Sequence, residues 1–397
     1  MSFIVADAPF IVASAPFIGA SLAKNTGIED AFAFHNNAGV AAIADGHGGK
    51  GTHGVRISHY ACEESIATLS AMHVISGEVD PTTFYEKLPK LFADIHDEYL
   101  QSRVLGQGIA LVYGIPMHDG LYVRGGTTLT VAVHNVFQGR PYLVTANVGD
   151  SEAYIFSVKD GVYRAKELTV VHEPTSQSEY FRVQKLGHMA GHFVYYTQGA
   201  KTVAGHLPIF EADGTPIVYQ KTFEPYKTAA EKYRQIRQEM MAYVKGSAEY
   251  EDLYARAILL GKEYGRTKHA HETSLDSRRD VCTVRGDRSA YIMFEANHSD
   301  NEHKLAVTRA IGDYYGKNRG LTTEPHVQIT WLDEEDLGDK AVLFMGTDGV
   351  FDCYDMEDLA KIVLESDPST LLTQFRAKGD ELFGEADDIT YVVKKLK

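Results

Sequence analysis

The sequence predicts an α+β protein built on antiparallel strands, and three observations carry that expectation. Two pairs of apolar runs are each joined by a short turn, Asn36-Asn37-Ala38-Gly39 in one and Phe137-Gln138-Gly139-Arg140 in the other. Other stretches repeat apolar residues at helical spacing, as Phe84, Leu88, Leu91, Ile95 and Tyr99 do. Several strand-like runs stop at an Asp beside a Gly, which marks one end of the sheets as chemically special.

Composition narrows the classes before any motif is read. At 397 residues the chain is long enough for two domains, or for one large domain carrying an insertion. A formal charge of −15 argues against nucleic acid or an anionic membrane as partner. Cys62, Cys282 and Cys353 are few and scattered, as in a reducing compartment, and no pair has zinc-ligand spacing. The N-terminus lacks a basic segment, and Asp7, Pro9 and Pro16 interrupt its apolar run, so no signal peptide is expected. No run is long enough to span a bilayer. The expected setting is intracellular and cytoplasmic, with the nucleus open.

Taken in order, Ala8-Pro9-Phe10-Ile11 and Ala15-Pro16-Phe17-Ile18 read as short edge strands, where proline is tolerated. Ala31 to Phe34 and Gly39 to Ala44 form the first hairpin, running into Asp45-Gly46-His47-Gly48-Gly49. A helix follows, with Val55, Cys62, Ile66 and Leu69 expected on its inner face, and then the Phe84 to Tyr99 helix, interrupted by Pro89. His53, His59 and His73 are expected on the surface or in packing, not as ligands. The second hairpin pairs Thr127–Val136 with Pro141–Val148 and ends at Gly149-Asp150-Ser151, and Ala153–Val158 with Val162–Leu168 suggests another strand pair.

From about Leu186 to His303 the character changes, with helical segments at Ala229–Lys245 and Glu249–Tyr264 and a polar loop at Arg266–Arg279. Residues 186–303 read as a surface insertion within a single 1–397 domain, and a protein partner could dock there. Arg285-Gly286-Asp287 spells an adhesion tripeptide that an intracellular chain gives no reason to use. The last third has a strand at Ala341–Met345, helices at Asp355–Glu365 and Ser369–Phe383, and a strand at Ile389–Val393.

The carboxylates decide the chemistry. With the first turn centred near Asn37, Glu29 and Asp45 are expected opposite each other on paired strands. Facing carboxylates repel unless they share a proton or a cation, and oxygen ligands suit Mg or Mn. Counting across the second turn sets Asp150 near Gly126-Thr127, while Asp348 ends one strand and Asp387 begins another. A single strand-end Asp is usually a cap. Five carboxylates at strand ends point to a two-metal site for displacement at phosphorus, with His47 placed to protonate a leaving alkoxide. No Gly-x-Ser-x-Gly elbow, P-loop or dinucleotide fingerprint competes with that reading.

Asp45-Gly-His-Gly-Gly49, Gly125-Gly-Thr-Thr128, Asn147-Val-Gly-Asp-Ser151, Leu305-Ala-Val-Thr-Arg-Ala-Ile-Gly-Asp313, Asp348-Gly-Val-Phe-Asp352 and Asp387-Asp-Ile-Thr390 resemble, in order, the motifs of the type 2C metal-dependent serine/threonine protein phosphatases. The resemblance implies a four-layer αββα sandwich of two antiparallel sheets flanked by helices. It implies two Mg2+ or Mn2+ ions and a weaker third. Asp45 would bridge both metals, Asp348 and Asp387 would complete one, and Glu29 with the Gly46 carbonyl would hold the other. Asp150 would serve the third metal together with Asp348. Asp352 would orient water and His47 would be the general acid. The implied reaction is direct attack of a metal-bridging water on phosphoserine or phosphothreonine in protein substrates.

Three departures stand out. Where the family has a phosphate-gripping Arg, this chain has Asn25, with Lys24 adjacent; Arg309 or a basic residue of the insertion is then a further candidate. Val171 stands where the family has an Asp before His172-Glu173-Pro174, and the segment before Leu305 is much longer. Two alternatives follow: a catalytically silent type 2C-like scaffold, or a hydrolase of small phosphoesters.

Overall fold

The computed structural model describes residues 15–23, 28–48, 53–76, 78–105, 109–112, 115–118, 121–174, 176–186, 192–195, 213–214, 223–243, 246–272, 290–294, 303–317, 319–383 and 387–397. The Ala8–Ile11 strand, Lys24, Asn25 and the Arg285–Asp287 tripeptide lie outside them.

The chain begins with β1 (Phe17–Leu22), β2 (Ala31–His35), β3 (Val40–Ala44) and the two-residue β4 (Gly46–His47). Helices α1 (Gly54–Ser76) and α2 (Pro81–Tyr99) follow, the second running into a π-helical turn at Leu100–Val104. Next come β5 (Ala110–Val112), β6 (Ile115–His118), β7 (Leu121–Tyr122) and β8 (Gly126–Thr127). The long strands β9 (Leu129–Phe137), β10 (Arg140–Val148), β11 (Glu152–Lys159) and β12 (Val162–Glu167) are succeeded by α3 (Gln177–Gln184). Then come β13 (His192–Tyr195), α4 (Phe223–Met240), α5 (Ala248–Glu272), β14 (Ala290–Phe294), β15 (His303–Leu305) and β16 (Ile311–Gly312). The last elements are β17 (His326–Trp331), β18 (Lys340–Gly346), α6 (Asp348–Phe351), α7 (Met356–Glu365), α8 (Pro368–Phe383) and β19 (Ile389–Lys395).

These elements divide into two compact units, one of Met1–Gln107, Arg124–Val170 and Thr323–Lys397, the other of Gly108–Val123 and Val171–Thr322. The first unit contains two antiparallel five-stranded sheets, ordered β1-β19-β18-β11-β12 and β17-β10-β9-β3-β2. Their facing sides bury Ala41, Ile43, Ala132, Leu143, Ile155, Leu343, Met345 and Val392. The alternate residues of β18 and β19, Val342, Phe344, Ile389, Tyr391 and Val393, point the other way, onto Leu359, Val363, Leu371 and Phe375 of α7 and α8. Helices α1 and α2 cover the second sheet, α1 against β2 and β3, α2 against β10 and β17. The layers are therefore αββα, as the resemblance implied.

Helix α2 buries Phe84, Leu88, Leu91, Ile95 and Tyr99 and keeps Pro89 inside it. The inner face of α1 differs from the expected one. Ile57, Ala61, Cys62 and Leu69 are buried, whereas Val55 is 40% exposed. Small residues face the sheet there, and Ser58 and Ser65 are buried with them.

In the second unit, Tyr180, Val183, Ile292, Leu305, Val307, Ala310, Tyr315 and Leu321 form a separate core. Helices α4 and α5 lie against each other through Ile236, Met240, Leu253, Ala257 and Leu260. Helix α5 continues to Glu272, so Arg266–Glu272 is helical rather than loop.

Candidate functional site

The site is built on backbone contacts around Asp45. Strand β3 is fully buried, and its last residue, Ala44, hands the chain to Asp45 at the rim. The Asp45 amide donates to Thr128 Oγ1 at 2.9 Å, and its carbonyl accepts from the Thr128 amide and the Thr127 hydroxyl, both at 2.9 Å. Thr128 Oγ1 also shares a 2.6 Å hydrogen bond with Ser151 Oγ, beside Asp150. The Gly-Gly-Thr-Thr motif thus fixes two acidic turns at once. Gly149 has φ +86°, and a Cβ there would stand 2.5 Å from Thr128 Cγ2, so the turn that delivers Asp150 needs glycine.

The expected Glu29–Asp45 pairing needs correction. Strands β2 and β3 pair Ala31 with Ala44 and His35 with Val40. One step further along the hairpin, Asp30 faces Asp45, and the Glu29 carbonyl accepts from the Gly46 amide at 3.2 Å. The cause is the turn's centre: the loop 36–39, closed by Gly39 N–H to Asn36 O at 3.1 Å, is centred between Asn37 and Ala38 rather than at Asn37. Glu29 is held by its backbone: its carbonyl also accepts from the Ser58 hydroxyl at 2.6 Å, and its amide donates to Asp388 Oδ2 at 2.8 Å.

The second hairpin and the C-terminal strands match their expected registers. Strands β9 and β10 pair Val148 with Leu129 across a two-residue turn, and β18 pairs with β19 antiparallel, Gly346 opposite Tyr391. Asp348 opens α6, and its carbonyl accepts from the Asp352 amide at 2.8 Å. A Cβ on Gly349 would lie 2.0 Å from the Asp388 carbonyl, so the Asp348 and Asp387-Asp388 segments touch backbone to backbone. Asp348, Asp352 and Asp387 all act electrostatically on the buried Cys353 thiol, which burial first, and then these charges, push up to about 12. His47 lies on β4 opposite Gly126 of β8.

Asp45, Asp348, Asp30 and Asp150 form one electrostatic cluster. Burial, then the charges of Asp348, Asp30 and Asp150, hold the Asp45 carboxyl well above the usual range, and Asp45 is hydrogen-bonded to Asp348. Asp30 is pushed up to about 8 by burial and by Asp348, although the Thr347 hydroxyl donates to its Oδ2 at 2.9 Å. Sequence reasoning missed Asp30 and Asp388. Both are adjacent to a residue it named, and centring the first turn between Asn37 and Ala38 would have selected Asp30.

Clustered carboxylates of this kind gain most from a hard divalent cation, which removes the repulsion that otherwise forces protonation. The donor chemistry therefore fits Mg2+ or Mn2+. Among the described residues, no three His, Cys, Asp or Glu side chains converge closely enough to form a finished metal cage. Arg309 is committed elsewhere. Its guanidinium holds Glu179 through Nη2 at 2.7 Å and Nε at 3.1 Å, and Arg182 holds the other Glu179 oxygen at 2.8 Å.

Comparison with known proteins bears on the family and the fold. The protein phosphatase 2C family model matches residues 29–200 and 287–372. Serine-threonine phosphatase 2C from Toxoplasma gondii superposes with a TM-score of 0.52 at 14% identity, covering 98% of this chain and 97% of that one. The serine/threonine phosphatase Stp1 from Staphylococcus aureus gives a TM-score of 0.47 at 14% identity, covering 99% and 100%. No curated protein matches the sequence significantly. With the family model spanning more than half of the residues, this chain belongs to the protein phosphatase 2C family.

Proposed function

We propose that the chain is a Mg2+- or Mn2+-dependent protein serine/threonine phosphatase. The observation that carries this reading is the Asp45–Asp348–Asp30–Asp150 cluster, four carboxylates drawn together at one rim and held there at an electrostatic cost. Asp45, Asp348, Asp387 and Glu29, with the Gly46 carbonyl, would hold two cations, and Asp150 with Asp348 a weaker third. Such ions lower the pKa of water toward neutrality and stabilise attacking and leaving oxygens at phosphorus.

The chain's own groups do the rest. The hydrogen bonds from Thr127 and Thr128 fix the Asp45 backbone, so the acidic rim need not reorganise when substrate arrives. His47, two residues from Asp45, gives a proton to the departing serine or threonine oxygen. Asp352, tied to the Asp348 carbonyl, orients the attacking water. Substrates are phosphoproteins, with Lys24 and Asn25 at the family's phosphate-gripping position. Residues 186–303 form an insertion that selects among protein partners.

The test is phosphate release from a phosphothreonine peptide with Mn2+, with Mg2+ and with chelator. Cation-dependent turnover is expected. His47→Ala should slow it by roughly 10²–10⁴-fold, and less so for an aryl ester, whose leaving group needs little protonation. Cation binding without turnover on peptide or aryl phosphate would turn the reading to a silent scaffold.

A further inference from the structure

Helix α1 starts against the Asp45 turn. A Cβ on Gly54 would lie 2.7 Å from the His47 carbonyl, and one on Gly46 would lie 2.6 Å from the Gly54 carbonyl. The residues that open α1 are therefore the immediate continuation of the acidic rim, and they carry the opposite charge. Arg56 is exposed two residues into the helix. His53, just before it, donates its amide to the Arg124 carbonyl at 3.0 Å and shares a 3.0 Å hydrogen bond between Nδ1 and the Tyr99 hydroxyl. Arg103 is exposed on the π-helical turn that follows Tyr99, and both Arg56 and Arg103 act electrostatically on the Tyr99 hydroxyl. Arg56 and Arg103 thus flank one His–Tyr pair, and the backbone of Arg124 holds its histidine.

None of these three arginines makes an ion pair among the described residues. Arg140, Arg164, Arg182, Arg309 and Arg376 each hold a carboxylate, whereas Arg234 and Arg237 of α4, like these three, hold none among the described residues. In a chain with 54 acidic and 39 basic residues, three arginines without a local carboxylate lie close together here. The patch has an edge, because Tyr60, one turn beyond Arg56, lies within reach of Glu64 and Glu98. A π-helical turn costs hydrogen-bond geometry and recurs at functional positions, and here it carries one of the three.

We infer that the Arg56–Arg103–Arg124 rim is an anion subsite for the substrate polypeptide, receiving acidic side chains or a second phosphate next to the residue being dephosphorylated. The inference rests on the phosphatase reading of the Asp45 site. Arginine presents a planar fork that matches carboxylate and phosphate alike, so both anions belong to one chemistry. The helix N-terminus adds a fixed partial positive charge.

Binding is read first on unphosphorylated fluorescent peptides in Mg2+ buffer, so that no turnover is involved. A serine peptide flanked by glutamates should bind more tightly than its alanine-flanked counterpart, and the advantage should shrink as salt rises. The same series with phosphothreonine at the centre, flanked by alanine, glutamate or a second phosphothreonine, is then followed by phosphate release. Arg56→Ala and Arg103→Ala should each reduce the preference for anionic flanks roughly two- to fivefold, the scale of an exposed ion pair. Arg56→Lys and Arg103→Lys should retain most of it, which separates charge from folding. Equal binding of glutamate- and alanine-flanked peptides, or a preference that survives the double alanine variant, would overturn the subsite. A preference in binding with no release from any phosphopeptide would keep the subsite and remove the phosphatase reading.

Discussion

The amide of Gly46 donates to the carbonyl of Glu29 at 3.2 Å, joining the two first acidic segments through backbone rather than through side chains. Glycine is required at this crossing. A Cβ on residue 46 would lie 2.4 Å from the Glu29 carbonyl and 2.6 Å from that of Gly54, and neither backbone can yield without moving a strand or α1. Gly46→Ala should cost about 1–3 kcal/mol, the range for overpacking a filled interior. Chemical denaturation should show the loss as a lower midpoint with an unchanged slope.

The acidic cluster makes opposite predictions with and without cation. In chelator, Asp45→Asn should raise the melting temperature, because it removes a carboxylate held against Asp348, Asp30 and Asp150. With Mn2+, the wild-type chain should gain stability as the ion binds the folded state, and the variant should gain little and lose turnover. Thermal melts in both buffers read the two effects separately. Destabilisation of the variant in chelator would show that Asp45 serves the fold, not an ion.

What the sequence made legible, and what it hid, turns on where each turn is centred. Gln138-Gly139 is a two-residue turn with both residues at positive φ, so counting outward from it sets Val148 opposite Leu129, the register the structure has. Asn36 to Gly39 looks equally turn-like, but counting out from Asn37 rather than from between Asn37 and Ala38 makes the count slip by one. Since side chains alternate along a strand, that slip puts Asp30 and not Glu29 across from Asp45. The fate of Arg309 was hidden for another reason. Its partner Glu179 is 130 positions away, and no local pattern encodes a pairing at that distance.

Glu179 should report on the second unit's integrity. The side chain is 1% exposed and bound by Arg182, Arg309 and the Thr308 hydroxyl, the last at 2.7 Å. Burial would raise its pKa, but the two arginines prevail and bring it to about 2, below the ordinary 4.5. A depressed carboxylate stabilises the fold above its unfolded pKa, and the contribution fades as pH falls from 4.5 toward 2. Glu179→Gln should cost about 3–5 kcal/mol at neutral pH, since it leaves two guanidinium groups facing a neutral amide. It should also flatten the acid limb of stability against pH, which denaturant titrations across pH 2–6 would measure.

Lys394 predicts the alkaline side. Between the sheets, its Nζ lies 4.4 Å above the Phe17 ring and donates to the Ala15 carbonyl at 2.8 Å, and burial lowers its pKa from 10.5 to about 8. The unfolded chain binds more protons than the folded one between those values, so this group makes stability rise with pH from about 8 to 10.5. The full effect is about 3 kcal/mol for a shift of this size. Lys394→Met should be the more stable protein at pH 7, and the difference from wild type should vanish by pH 10.5. A difference that stays constant over that range would mean that burial does not lower the Lys394 pKa in the folded state.

Strand β1 pairs with β19, Phe17 opposite Lys394, and β19 is also what connects β1 to the rest of its sheet. During synthesis, then, β1 leaves the ribosome long before β19, its sheet partner among the described residues, exists. At roughly 5–20 residues per second, its apolar edge waits tens of seconds. Asp348 and Asp387 emerge in the same late stretch, so the nascent chain has no acidic rim to bind a cation until β18 and β19 have closed on one another. A translating cell would meet this protein as a half-sheet with an unpaired edge, open to chaperones, and ion-loading would be an event of the finished chain alone.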